Sequence, residues 1–268
     1  MSVWGEIITW LQSPMPKPQP YGAYHLLTTA AAILVGVLLC VWFKQGTEKQ
    51  VRRILLVTVI LTVLGEVYKQ LIYTYSFDGS VVTADFQWYA FPFQFCSTPM
   101  YVGLLALLTR GKLHRACCDY LGSFAVFAGA AVLAYPVDIY IDWIGINIQT
   151  MICHGSMVAV GIYLLYTGYV RCRYKTLLRA SAVFGVMVVI AAVMNEIAYR
   201  TGLLEIEDFN MFFISPYCEP SLPVYSQVQA VVPFPWCLFI YILGFMAAAG
   251  MVLLLAWIPR ALIGKLKK

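Results

Sequence analysis

A cysteine and two prolines fall within one short aromatic stretch of an otherwise apolar segment. Residues 91–99 read Phe-Pro-Phe-Gln-Phe-Cys-Ser-Thr-Pro, so that Pro92 and Pro99 bracket Gln94 and Cys96. A proline inside a helix removes a backbone donor and clashes with the carbonyl four residues back, which frees polar backbone groups. We therefore predict a bent polar segment that faces the interior of a helix bundle, with the Cys96 thiol as a candidate nucleophile.

A histidine in a second polar segment is a candidate for the base that a cysteine nucleophile needs. Residues 147–156 read Asn-Ile-Gln-Thr-Met-Ile-Cys-His-Gly-Ser. Helical spacing places Thr150 and His154 on one face, with Gln149 beside them. An imidazole accepts the thiol proton, and the resulting ion pair stabilises the thiolate. The predicted catalytic pair is Cys96 and His154.

Further polar side chains lie near the same apolar segments. Ionisable groups at membrane depth cost about 2.5 to 3.5 kcal/mol each, so they are functional candidates by default. The predicted supporting polar site consists of His25, Glu66, Gln94, Gln149, Asn195 and Asn210. Simpler structural roles are open for several of them. Glu66 and Lys69 at i, i+3 are typical of a local ion pair, and a single histidine such as His25 is often a hydrogen-bonded packing residue.

Composition places these residues in a membrane protein with a single domain. The 268 residues are 61% hydrophobic and 12% charged, against about 45 to 50% and about 25% in soluble domains. The net charge of +5 is not arranged as a basic stripe interleaved with aromatics, which argues against nucleic-acid binding. The eight cysteines are scattered through apolar segments without a Cys-x-x-Cys motif, so we predict no disulfide framework.

Seven apolar stretches are long enough to cross about 30 Å of hydrocarbon. Their approximate limits are 22–43, 54–75, 91–109, 116–137, 148–170, 178–199 and 235–258. The third is interrupted by Pro92 and Pro99. The predicted fold class is therefore all-α, a polytopic seven-helix transmembrane bundle.

The distribution of lysine and arginine orients this bundle. Alternate connections and the tail hold fifteen of the eighteen basic residues, at positions 44, 49, 52, 53, 110, 112, 115, 171, 173, 175, 179, 260, 265, 267 and 268. The intervening connections hold Lys17 and Arg200. Because basic residues favour cytoplasmic loops, we predict an N-terminus outside, a cytoplasmic C-terminus and a location in the cell membrane.

Three regions flank or cover the predicted transmembrane domain at 22–259. Apolar residues spaced as on one helix face predict an interfacial helix and a Pro-rich spacer over 1–21, for which a mobile tail is the alternative. The proline-rich outer loop at 200–234 is predicted to fold over the bundle as a lid. Residues 260–268 are predicted to form a basic cytoplasmic tail.

Several of these segments together resemble the YwaF family of bacterial integral membrane proteins, which is related to the transmembrane protein 164 acyltransferases of animals. The matching pieces, within His25 to Trp236, are Tyr24-His25-Leu26-Leu27, the Pro-x-x-x-Cys of Pro92 to Cys96, Gln149 to Met157, Asn210-Met211-Phe212-Phe213 and Pro233-Phe234-Pro235-Trp236. Gln94 and Cys153 stand where the bacterial pattern commonly has histidines. The resemblance implies a cysteine-centred transfer of fatty acyl groups to lysophospholipid.

The first functional hypothesis is accordingly an acyltransferase whose partners are membrane lipids. Cys96 would attack the acyl ester of a donor phospholipid, and a lysophospholipid hydroxyl would resolve the thioester. Gln94, Asn210 or a backbone N–H freed by Pro99 would donate to the oxyanion, and Asn195 or Glu66 would orient His154. No cofactor is expected, and the sequence leaves the oligomeric state open.

Two other classes of protein fit parts of the same pattern. A transporter or receptor would bind a small or lipid ligand in the same outward-facing polar pocket. The sequence has neither an Asp-Arg-Tyr at the end of the third stretch nor an Asn-Pro-x-x-Tyr in the seventh, which argues against a G-protein-coupled receptor. A zinc enzyme would need His25, His154 and either Glu66 or Cys96 to converge from separate helices; no metal is predicted.

Overall fold

Six helices in the described part of the chain are long and apolar enough to cross a bilayer. The structure, a computed structural model, describes residues 2–136, 139–202, 209–219, 222, 224–234 and 236–266, and only the backbone of 259–266. The six candidate spans are α2 (Ala23–Trp42), α3 (Glu48–Thr74), the consecutive pair α5 (Gly111–Leu121) and α6 (Phe124–Ala134), α7 (Ile144–Tyr166), α8 (Tyr174–Thr201) and the apolar part of α10 (Trp236–Leu266). Shorter helices are α1 (Val3–Leu11), α4 (Thr98–Leu108) and α9 (Tyr225–Val231). A mainly helical, multi-pass membrane protein is confirmed.

The predicted third stretch is helical over only part of its length. A single helical turn at Trp88–Ala90 is followed by an irregular segment, residues 91–97, and then by α4. Pro99 lies in the first turn of α4, where its missing N–H leaves no helical hydrogen bond unmade. With 11 residues, α4 is shorter than a spanning helix. A seventh full-length helix at 91–109 is therefore not confirmed.

Hydrogen bonds join the connections that are rich in lysine and arginine at one end of the bundle. We call this end of the bundle the basic end. The ring of His114, at the start of α5, contacts the Tyr169 hydroxyl at 2.8 Å. The Arg52 guanidinium, in the first turn and a half of α3, donates to the carbonyls of Leu107 (2.8 Å) and Thr109 (2.6 Å) at the end of α4. This contact satisfies carbonyls that the end of a helix leaves free. The alternating charge pattern therefore corresponds to one physical end of the bundle.

The core of the bundle lies around α7, which packs against α2, α3 and α6. A Cβ on Gly155 of α7 would lie 2.8 Å from the Ala32 Cβ of α2, so this close crossing requires glycine. Phe124, Phe184 and Tyr241 are fully or almost fully buried and stack in series between α6, α8 and α10. Small residues at one crossing and aromatic rings at the others hold the helices together, as expected in lipid.

The N-terminal helix packs on a β-hairpin that the sequence interpretation missed. The predicted helix is present as α1, and its Gly5 lies against the Phe77 ring. Phe77 belongs to β1 (Tyr75–Phe77), which pairs antiparallel with β2 (Val82–Ala84). Backbone N–H groups of Val81 and Ser80 donate to the Asp78 carboxylate in the turn, which lowers the pKa of Asp78 to about 2. The Asp-Gly at the turn is the sequence signal for this hairpin.

A buried ion pair near the basic end gives the first testable prediction. The Asp119 side chain of α5 is fully buried, and the Arg179 guanidinium of α8 lies 2.6 Å from it. The nearest nitrogen of Arg115 is 3.9 Å away. Because Arg179→Ala leaves an uncompensated buried carboxylate, we expect it to lower the free energy of unfolding by about 3 kcal/mol. Thermal unfolding in detergent should show a smaller loss for Arg115→Ala, and an equal loss for both would contradict this account.

Candidate functional site

The irregular segment 91–97 exposes backbone polar groups that side chains inside the bundle satisfy. The Tyr101 hydroxyl donates to the Pro92 carbonyl at 2.7 Å. The Thr98 hydroxyl donates to the Phe95 carbonyl at 2.8 Å and is hydrogen-bonded to the Tyr120 hydroxyl at 2.7 Å. The segment is thus the bent polar element that its prolines predict.

Cys96 in this segment lies against Cys153 of α7. The Cys153 thiol donates to the Cys96 carbonyl oxygen at 3.5 Å, and the Ser97 hydroxyl lies beside the Cys96 thiol. Both cysteines line a narrow cavity of about 30 Å³, which is close to the room that one or two water molecules need. We call this cavity the slot, and its wall consists of Leu55, Thr58, Val59, Thr62, Cys96, Pro99, Met100, Gly103, Leu121, Ala125, Cys153, Ser156, Met157 and Val160.

An ion pair on α3 provides the charge nearest to these cysteines. The Lys69 ammonium lies 2.8 Å from the Glu66 carboxylate, and both side chains are largely buried. Gln70 donates to the same carboxylate and to the Ala90 carbonyl, at 2.8 Å each. The Lys69 charge interacts electrostatically with Cys96 as well as with Cys153 and His154. The local ion pair is therefore present, and it lies within electrostatic range of the predicted catalytic pair.

His154 is buried on α7 with one ring nitrogen engaged. Its Nδ1 lies 2.8 Å from the Thr150 carbonyl oxygen. Because a carbonyl oxygen only accepts, Nδ1 carries the proton and Nε2 is the nitrogen available as a base. Within the described residues no hydrogen bond joins His154 to the Cys96 thiol. The α7 residue that contacts Cys96 is instead Cys153.

His25 is placed away from Cys96 and performs a structural task. The backbone N–H of Tyr21 donates to its Nδ1 at 3.1 Å, and its Nε2 lies 2.9 Å from the Leu133 carbonyl oxygen. The tautomer with the proton on Nε2 satisfies both contacts, so this ring ties the start of α2 to the end of α6. Among the described residues there is no group of three or more His, Cys, Asp or Glu placed to hold a metal ion.

Gln94 and Asn195 hold a buried turn of the chain at Met211–Phe213. Asn195 of α8 accepts from the Met211 N–H at 2.8 Å and donates to the Met211 carbonyl at 3.0 Å. Gln94 accepts from the Phe212 N–H at 3.0 Å and donates to the Asn210 carbonyl, also at 3.0 Å. Each amide thus makes one donor and one acceptor hydrogen bond with the turn. Among the described residues no hydrogen bond joins Asn195 to His154, and the role of Gln94 as an oxyanion donor stays a prediction.

The turn itself adopts a backbone conformation that non-glycine residues seldom use. Phe212 and Phe213 have φ angles of +60° and +56°, and such left-handed conformations persist where surrounding contacts enforce them. The Asn210 side chain accepts from the Ser215 N–H at 3.0 Å, and the Tyr241 hydroxyl donates to the Phe212 carbonyl at 3.2 Å. The turn belongs to the region predicted as a lid, of which residues 203–208, 220, 221 and 223 lie outside the described chain.

Gln149 faces α3 beside the ion pair. Its side chain packs over Gly65, where a Cβ would lie 3.1 Å from the Gln149 Cγ. Gly65 immediately precedes Glu66. The fold therefore brings Gln149, a predicted supporting residue on α7, next to the part of α3 that carries Glu66. The predicted supporting site did not include Lys69, which was interpreted as the partner in a local ion pair, and Cys153 was interpreted as the loss of a histidine. The i, i+3 spacing of Glu66 and Lys69 was the available signal.

A Cys–His contact does occur near the basic end, away from Cys96 and His154. The Cys118 thiol is 3.6 Å from the His114 Nε2, and both side chains are almost completely buried. The other ring nitrogen of His114 is 2.7 Å from the Ala106 carbonyl oxygen. Neither residue lines the slot. This pair joins consecutive turns of α5 to the end of α4 and is a packing arrangement.

The fold and site define a multi-pass membrane protein with a half-buried cysteine within electrostatic range of an ion pair on a spanning helix. The chain matches the TMEM164 family over residues 20–256 and belongs to that family. The match includes every residue of the predicted site. No curated protein and no solved structure is significantly similar to the chain.

Proposed function

We propose that this protein transfers a fatty acyl group from a phospholipid to a lysophospholipid through a thioester on Cys96. The observation that carries the proposal is the position of Cys96 on an irregular segment inside the membrane, on the wall of an apolar cavity and beside the Glu66–Lys69 pair. Membership of the TMEM164 family supports the same general class of protein.

The reaction has two balanced steps. The Cys96 thiolate attacks the ester carbonyl of the donor, the ester C–O bond breaks, and a lysophospholipid leaves after taking up a proton. The hydroxyl of an acceptor lysophospholipid then loses its proton and attacks the thioester, which releases the diacyl product and restores the thiolate. Splitting the transfer in this way replaces one difficult step with two easier ones.

Two residues near Cys96 meet the electrical and proton requirements of these steps. A neighbouring ammonium stabilises a thiolate, and Lys69 is in electrostatic range. The Glu66 carboxylate paired with it acts in the opposite sense, so the proposal requires the Lys69 ammonium to turn toward Cys96 during the reaction. His154 has Nε2 available to accept and return the proton. Because no hydrogen bond joins His154 to the thiol, the proton transfer requires a bridging water or the substrate hydroxyl itself. The Ser97 hydroxyl beside the thiol is a candidate oxyanion donor.

We also propose the finer topology. Residues 88–108 would provide the seventh crossing as a partly irregular element, since they run from Tyr89, beside Tyr73 near the end of α3, to the basic end at Thr109. With the basic end in the cytoplasm, as the lysine and arginine bias favours, the N-terminus lies outside the cell membrane and Cys96 serves the outer leaflet. The partners are membrane lipids.

An acyl-transfer assay tests this function against the transport alternative. The purified protein is placed in lipid nanodiscs with a donor phospholipid that carries an alkyne-tagged acyl chain and with a lysophospholipid acceptor of a different headgroup. The expected result is a tagged diacyl lipid with the acceptor headgroup, detected by mass spectrometry and formed in proportion to protein. If no such product forms while the protein moves labelled lipid unchanged across sealed vesicles, the chain is a transporter.

A further inference from the structure

We propose that one acyl chain of the substrate enters from the lipid between α3 and α4 and occupies the slot beside Cys96, with Gly103 and Val59 setting the width of its passage. This inference rests on the proposed function, because it places the lipid relative to the same cysteine. It adds the route, the binding site of the chain and the residues that limit it.

The entrance is an open groove on the side of the bundle, which we call the lateral cleft. Its volume is about 440 Å³. It lies between α3 and the segment that leads into α4, and its wall consists of Val63, Glu66, Val67, Gln70, Leu71, Thr74, Tyr75, Pro92, Met100 and Tyr101. Val67 is 53% exposed, which is the exposure of a lipid-facing residue in a spanning helix. A lipid in the bilayer therefore reaches this cleft without passing through water.

The cleft and the slot follow one another along α3. The slot uses α3 residues 55–62 and the cleft uses α3 residues from 63 onward, while Met100 of α4 lines both. At 1.5 Å per residue, the α3 part of the slot is about 10 Å long. The walls of the cleft and the slot are both mainly apolar, and Glu66 and Gln70 are polar residues of the cleft beside the slot. This succession matches a lipid with its ester near the charged pair and its chain directed toward the basic end.

The chemistry of the slot wall selects an apolar occupant. The Thr62 hydroxyl donates to the Thr58 carbonyl at 2.9 Å, and the Ser156 hydroxyl donates to the Cys153 carbonyl at 2.8 Å. These hydroxyls are thus satisfied within their own helices. Two thiols and aliphatic side chains make up most of the remaining wall. A polar ligand would lose its hydration here without compensation, whereas an acyl chain loses none.

Gly103 marks the narrowest approach of the two helices. A Cβ at this position would lie 2.9 Å from the Val59 Cγ2, so any larger residue must push the helices apart or fill the slot. The slot in the present structure holds about 30 Å³, and an acyl chain requires it to widen. Separation of α3 from α4 at Val59 and Gly103 is the movement that admits the chain.

Photo-crosslinking with a phospholipid that carries a diazirine near the end of one acyl chain tests this placement. The protein is irradiated in nanodiscs of that lipid, and the labelled peptides are mapped. In the wild type we expect labelling of the α3 residues that line the slot, which are Leu55, Thr58, Val59 and Thr62, in addition to the lipid-exposed residues between them. Gly103→Leu should reduce this labelling by about tenfold or more. The matched control is Gly244→Leu on α10, where a Cβ would meet no atom within 4 Å and slot labelling should stay unchanged.

Two further variants distinguish loss of acyl-chain binding from misfolding and from loss of the chemistry. Val59→Ala widens the passage and should raise slot labelling by about threefold, which provides a test if Gly103→Leu does not fold. Cys96→Ala should retain slot labelling even though it forms no thioester, so failure of the chemistry is distinguished from failure of the binding site. Labelling confined to lipid-exposed residues such as Leu254 and Leu255 in every variant would overturn the proposal.

Discussion

Cys96→Ala is expected to lower acyl transfer by at least about a thousandfold while the protein stays folded. The proposed reaction uses only the thiol of this residue, and the alanine variant has no thiol at this position of segment 91–97. Its backbone carbonyl, which accepts from Cys153 at 3.5 Å, is unchanged by the substitution. The rate of transfer to the lysophospholipid acceptor, measured in nanodiscs, gives the effect directly.

Substitutions of two other cysteines serve as controls for Cys96→Ala. Cys40→Ala removes a buried thiol of α2 that is outside the slot and should leave transfer within about twofold of the wild type. Cys153→Ala removes the thiol that contacts Cys96 and should reduce transfer by no more than about tenfold, because that thiol makes no bond to the substrate. Loss of transfer in Cys153→Ala with retention in Cys96→Ala would assign the nucleophile to α7.

Asn195→Ala is expected to produce the largest loss of stability among the site residues. The variant removes both hydrogen bonds that the side chain makes to the Met211 backbone. It leaves the buried Met211 N–H without a partner and the Met211 carbonyl with only the Ile214 N–H at 3.5 Å. The unsatisfied N–H costs about 1 to 3 kcal/mol and the second lost hydrogen bond about 1 kcal/mol, so the free energy of unfolding should fall by about 2 to 4 kcal/mol. Thermal unfolding in detergent and protease sensitivity of the 209–219 region measure this loss.

The control for Asn195→Ala is Gln149→Ala. Gln149 is half-buried and makes no hydrogen bond within the described residues, so its truncation should cost less than about 1 kcal/mol. If Asn195→Ala unfolds at the same temperature as Gln149→Ala, the turn at Met211–Phe213 is not held by this amide. The structural role assigned here to Asn195 would then be wrong.

The spanning helices followed from the sequence because hydrophobicity and length are local properties of the chain. Helices α2, α3, α7, α8 and α10 lie where apolar stretches predict them, and polar first turns extend α3 and α8 beyond those stretches. The capping box of Thr47 and Gln50 explains the early start of α3. The stretch at 91–109, which contains Pro92 and Pro99, was harder to predict. Its prolines predict a break in the helix, but they do not predict how many of the neighbouring residues remain helical.

The roles of the amides did not follow from the sequence, since they depend on contacts between distant segments. Gln94 and Asn195 bind the backbone of Met211 and its neighbours, and no spacing rule connects these positions. A polar residue at membrane depth satisfies either a ligand or another part of the chain, and composition does not distinguish the two. His25 belongs to the same category, because its partners Tyr21 and Leu133 are a preceding loop residue and a helix end.

The ion pair on α3 was visible in the sequence, but its relation to Cys96 was not. The i, i+3 spacing of Glu66 and Lys69 predicts their contact, whereas their proximity to segment 91–97 requires α3 and α4 to pack together. Gly103 against Val59 brings about that packing.

The acyl intermediate on Cys96 is the most direct test of the proposed function. The protein is incubated with the alkyne-tagged donor phospholipid in the absence of acceptor, and its intact mass and proteolytic peptides are then measured. The proposal predicts one acyl adduct on the peptide that contains Cys96, removed by neutral hydroxylamine and by addition of lysophospholipid. Acyl transfer without any adduct, or an adduct confined to another cysteine, would contradict it.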